Sequence, residues 1–89
     1  MYLHVGESEI LRTDDIVAIF DHEKLLGSRE NTLLVESLRQ SRKITVISEK
    51  RPKSIIFTTK EVVISPISVL TLTRRLESGS IDSASDTEA

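Results

Sequence analysis

With 89 residues and no cysteine, the chain is sized for one small domain and cannot form disulfides, thiolate nucleophiles or cysteine-rich zinc sites. No run approaches the ~18 apolar residues of a membrane span and no apolar leader opens the chain, so a reducing cytoplasm is the expected compartment. The formal net charge of −2 conceals a sorted pattern. Residues 1–38 hold eight acids and three cations, residues 39–60 hold seven cations and one acid, and residues 77–89 hold four acids and no cation. A chain sorted in this way can present a basic face despite its acidic balance.

In chain order, "YLHV" at 2–5 and "EILR" at 9–12 read as two short strands around the turn-like Gly6-Glu7-Ser8. "DIVAIFD" at 15–21 is an unbroken apolar run, read as a strand buried on both faces. "HEKLLGS" gives weak signals. Ser28 is a candidate N-cap for a helix over about 29–41, with Leu34, Val35 and Leu38 at helical spacing and Arg39, Arg42 and Lys43 at its C-terminal end. "ITVIS" at 44–48 alternates as a strand. "KRPK" is the next turn, followed by the strands "SIIFTT" and "EVVIS" with almost no linker. Ser65-Pro66 reads as a helix start, Ser as cap and Pro at the first helical position, for a helix over 66–76. Residues 77–89 are small, polar and acidic, and are expected to be a disordered tail.

The order β-β-β-α-β-β-β-α predicts an α/β (α+β) domain over residues 1–76: a small, mostly antiparallel sheet with two helices to one side. Several strands are short, and their exposed edges need cover, which a second copy of the chain can supply.

The inventory offers little for catalysis, a metal or a cofactor, and none is expected. His4 sits between apolar neighbours and reads as a sheet histidine satisfied by a neighbour rather than a general base. His22 stands between Asp21 and Glu23, but adjacent strand residues point to opposite faces and do not converge on one ion. Asp14-Asp15 could suggest paired carboxylates, yet Asp bonds local backbone well and a turn or bulge is the simpler reading. The three glycines, Gly6, Gly27 and Gly79, are too far apart for a phosphate loop.

The turn Lys50-Arg51-Pro52-Lys53 has two readings. It is a solvated loop, or a phosphate-contacting loop stiffened by Pro52, which fixes its own φ and so reduces the entropy lost on binding. Three aromatic residues, Tyr2, Phe20 and Phe57, are too few for a single-strand stacking platform, so a reader of the duplex backbone fits better. Repetition of the loop in an oligomer would replace single-site affinity with avidity.

"MYLHVG", "DIVAIFD", "RPKSIIFT" at 51–58 and "ISPISVLTLTRRL" at 64–76 resemble the extracellular matrix regulator family (RemA/RemB-like, formerly a domain of unknown function), and most closely its RemB branch. The likeness spans nearly all of residues 1–76. It implies a small α/β domain assembled into a ring-shaped homo-oligomer, acting as a double-stranded-DNA-binding regulator of extracellular matrix and biofilm genes. It also implies that the family's basic loop falls on Lys50, Arg51 and Lys53. Lys50 keeps the charge of an arginine but not its bidentate fork. Where the RemA branch has an arginine before the third strand, this chain has Asp15, and an acid there repels phosphate. That departure favours the alternative of an oligomeric protein-interaction module without strong DNA binding. Charge complementarity also allows Arg74 and Arg75 to meet Asp14 or Asp15 of a neighbouring copy.

Overall fold

The computed structural model describes residues 1–41 and 43–78. Strands β1 (Tyr2–Gly6) and β2 (Glu9–Arg12) form an antiparallel hairpin, and a single 3-10 turn, Thr13–Asp15, leads into β3 (Ile16–Asp21). Two helices follow, α1 (His22–Leu26) and α2 (Arg29–Ser41); then β4 (Lys43–Val46), β5 (Ser54–Thr58), β6 (Glu61–Ser65) and α3 (Val69–Ser78). The mixed α+β class is as expected.

The four later strands form one sheet in the order β3-β5-β6-β4. The β3–β5 and β5–β6 pairs are antiparallel, and β4 lies parallel to β6. The close hairpin read from "SIIFTT" and "EVVIS" is therefore the centre of the sheet. Its turn is organised by Thr58, whose hydroxyl accepts from the Lys60 and Glu61 backbone N–H groups and donates to the Glu61 carbonyl at 2.8 Å. The "KRPK" segment joins no adjacent pair. It carries the chain from β4 to β5 across the end of the strand between them, β6.

Ile19, Ile56, Val63 and Thr45 are register partners and share one sheet face. The hairpin and α3 cover it, so that Leu3, Val5, Ile56, Val63 and Leu72 form the buried core. Each such side chain contributes about 1.5–3 kcal/mol when fully buried. Ile55 and Val62 are buried on the opposite face. There α1 packs against β3 and β5 and α2 against β4. Helices thus serve both faces of the sheet rather than one.

Four local expectations need correction. The 15–21 run is not buried on both faces: β3 is an outer strand with one neighbour, and Val17 is 68% exposed. The weak "HEKLLGS" stretch contains α1, capped where the Asp21 carboxylate accepts from the Lys24 N–H at 3.0 Å. Ser28 does cap α2, accepting from the Asn31 N–H at 3.3 Å, but within that helix Val35 is buried while Leu33 and Leu34 are exposed. Finally, α3 starts at Val69, not at Pro66. Ser68 is its cap, with its hydroxyl accepting from the Thr71 N–H at 3.2 Å, because Ser65 is committed elsewhere. The helix also runs on through Glu77 and Ser78, and the remainder of the acidic tail lies outside the described residues.

Candidate nucleic-acid interface

The basic loop is built on the pair Ser54 and Ser65, directly opposite each other across β5 and β6 and both fully buried. Buried hydroxyls need partners. The Ser54 hydroxyl donates to the Ile67 carbonyl at 2.8 Å. The Ser65 hydroxyl donates to the Val5 carbonyl at 2.6 Å and accepts from the Ile67 N–H at 3.0 Å. These bonds tie β1, the corner before α3 and the two central strands into one block beneath the loop.

The loop is fastened to that block at both ends. The Ile47 N–H donates to the Ile64 carbonyl at 3.0 Å, and the Lys53 N–H to the Ser65 carbonyl at 2.9 Å. From the other side, the His22 N–H at the start of α1 donates to the Lys53 carbonyl at 3.0 Å. Within the loop the Lys50 N–H donates to the Ser48 hydroxyl at 3.1 Å. Lys50, Arg51 and Lys53 are all exposed, with Pro52 between them half-buried. A segment held this firmly presents its cations with little ordering left to do on binding.

Two clefts meet at the loop. The one toward the hairpin is lined by Lys50, Arg51 and Lys53, with Gly6 and Glu7 on its far side. Gly6 makes the close approach possible. Its φ is +132°, and a Cβ there would stand 3.1 Å from Pro66 Cδ and 3.2 Å from Ile47 Cγ2. The cleft toward α1 is lined by Asp21 and Glu23 together with Arg51 and Lys53. Glu23 Oε2 lies 3.9 Å from Arg51 Nη2. The three cations read from the sequence are therefore brought together, and the acids facing them, Glu7 and Glu23, were not anticipated. Nothing local to either acid signals its place beside a loop more than twenty-five residues away in sequence.

Other candidates resolve into structural roles. The Nε2–H of His4 donates to the Glu7 carbonyl at 2.6 Å, as expected of a satisfied sheet histidine. Asp14 and Asp15 lie in the 3-10 turn, Asp14 3.8 Å from Arg12 and Asp15 accepting through its carbonyl from the Thr59 N–H at 2.9 Å. Arg75 is 7% exposed and donates to the His4 carbonyl within its own chain, whereas Arg74 is exposed. Among the described residues no helix is long and apolar enough to cross a membrane.

A small mixed sheet flanked by helices, with a clamped cationic loop at its end, defines a small α+β domain, and the sequence comparisons place it. Residues 2–76 match the RemA-like family, described as extracellular matrix regulatory protein A-like. Extracellular matrix regulatory protein B of Bacillus subtilis (strain 168) is 33% identical over 78 residues, which cover 86% of this chain and 91% of that protein. The chain belongs to the RemA-like family.

Proposed function

We propose that the chain is a self-assembling, non-enzymatic regulator of extracellular matrix genes that grips the duplex DNA backbone through Lys50, Arg51 and Lys53. The observation that carries this reading is the loop over the end of β6: three exposed cations on a segment bonded to β6 at Ile64 and Ser65 and to α1 at His22. Family membership and the name of the Bacillus subtilis relative supply the regulatory role. Such a loop contacts phosphate without reading bases, so affinity is electrostatic and tolerant of sequence.

One copy offers few cations, and assembly multiplies them. The sheet ends in two different outer strands, β3 and β4, with Val17 and Val46 exposed on them. Joining unlike ends gives a head-to-tail contact, which closes into a ring when the rotation per copy allows it. The second reading is an oligomeric protein-interaction module. It is favoured by Glu23, which already stands beside Arg51.

The test is titration of purified protein against labelled random duplex DNA at low and moderate salt, with mass by light scattering on the same sample. Salt-sensitive binding by a discrete oligomer supports the regulator reading. A discrete oligomer that ignores DNA at low salt moves the assignment to the protein-interaction module.

A further inference from the structure

The α1 side of the basic loop carries two acids, and one of them sits on a helix tied to the loop. α1 begins at His22, whose N–H bonds to the Lys53 carbonyl, so Glu23 rides on a helical turn tied to the loop it faces. Asp21 in the same cleft is occupied as the α1 cap, which leaves Glu23 as the carboxylate directed at Arg51. Arg51 and Lys53 line both clefts. On the α1 side they are matched by two acids, Asp21 and Glu23. On the hairpin side Lys50 joins them and Glu7 is the acid. An anion is drawn to the hairpin side, and Arg51 has a competing partner on the other.

We propose that Glu23 is an internal competitor for phosphate. It draws Arg51 toward α1, and a bound polyanion has to take Arg51 from it before all three cations act together in the hairpin-side groove. This rests on the DNA reading above and adds a brake to it. The brake is weak by construction. The Arg51 and Glu23 side chains are 84% and 85% exposed, and exposed ion pairs of this kind hold by a small margin that salt erodes. A weak brake suits a repeated site, because a small loss at each loop is multiplied when many loops bind at once. It also makes α1 a point of control, since any partner that engages Glu23 releases Arg51.

The experiment is a double-mutant cycle on the full chain, using labelled random duplex DNA at low salt. Glu23→Gln should tighten binding by about two- to fivefold. The gain should vanish when Arg51→Ala is also present, which marks it as coupling through Arg51 rather than a general loss of negative charge. Glu7→Gln is the contrast: its gain should survive Arg51→Ala. If Glu23→Gln binds like wild type while Arg51→Ala weakens binding, the brake is wrong and the DNA reading stands. If the Glu23→Gln gain persists without Arg51, Glu23 acts only as a repulsive charge and the competition is wrong. If neither wild type nor Glu23→Gln binds duplex at low salt, the DNA reading falls and the brake falls with it.

Discussion

Arg75 Nη1 donates to the His4 carbonyl at 3.1 Å and lies 3.3 Å from His4 Nδ1, joining the last helix to the first strand. The carbonyl it reaches is one that β2 does not use. The Thr13 N–H bonds to the Met1 carbonyl, which makes Tyr2 and Arg12, and hence His4 and Ile10, the pairs that do not exchange backbone bonds. The free edge of β1 is thus covered by a guanidinium on α3. Arg75→Ala should cost about 1.5–3 kcal/mol, the usual loss for a hydrogen bond from a charged group. Urea unfolding measures it. A loss below about 0.5 kcal/mol, the range of a neutral surface change, would show that α3 docks without this bond.

Ser65 makes a second long-range tie, across sixty residues to Val5. Ser65→Ala leaves the Val5 carbonyl and the Ile67 N–H without the hydroxyl that joins them, and buried unsatisfied groups cost about 1–3 kcal/mol. Because the Ser65 carbonyl also holds Lys53, amide exchange in the loop should accelerate alongside the loss of stability. Unchanged protection at Lys53 in this variant would separate the loop from the block beneath it.

At Gly6 a side chain faces both a backbone conformation that L-residues rarely adopt and contact with Pro66. Gly6→Ala is therefore expected to destabilise the fold by more than ~1 kcal/mol. Thermal unfolding of the variant decides this, and a melting temperature equal to wild type would mean that the turn has another conformation open to it.

Some of this architecture is legible locally. The β-branched runs of β5 and β6, the Ser28 cap, the hairpin around Gly6 and the cationic loop each carry their signal within a few residues. What is not legible depends on distant partners. Ser65-Pro66 reads as a helix start, but the Val5 carbonyl claims the Ser65 hydroxyl and the helix begins later, capped by Ser68. The parallel pairing of β4 with β6 leaves no mark on either strand, so "KRPK" reads as a turn with no sign that it passes over β6. α1 does carry local signals, with Asp21 as cap, Glu23 in the first turn and Gly27 at the end, but Asp21 also closes the apolar run of the preceding strand. Lys50, Arg51 and Lys53 are visible as a cluster, but the acids that line the clefts beside them come from other elements.

The start of α2 titrates in a predictable sense. The Glu30 carboxyl is held below the usual carboxylate value by a backbone hydrogen bond and by the Ser28 hydroxyl, which donates to it at 3.0 Å. A depressed folded-state pKa means that the stabilisation is fully present above the ordinary carboxylate range and is lost as pH falls through the lowered value. Glu30→Gln should therefore be less stable than wild type near neutral pH, and the gap should close in acid. Paired urea titrations across that range read the difference directly. A gap of constant size with pH would mean that the charge of Glu30 plays no part.

For the loop, charge number rather than identity should set DNA affinity. Arg51→Ala and Lys53→Ala are each expected to weaken binding to unrelated duplexes by a similar factor. Each should also lower the magnitude of the log–log salt slope by about 0.9, the value for one phosphate contact. Lys50→Arg should bind as well as wild type or better, because the guanidinium adds a fork where the ammonium is a point charge. Arg75→Ala serves as the internal contrast, since Arg75 is buried against His4 and should leave the slope unchanged in protein that remains folded. A double Arg51, Lys53 variant with the wild-type slope would remove both residues from the interface and pass the phosphate contacts to other exposed cations, with Arg74 and Lys60 the next to examine.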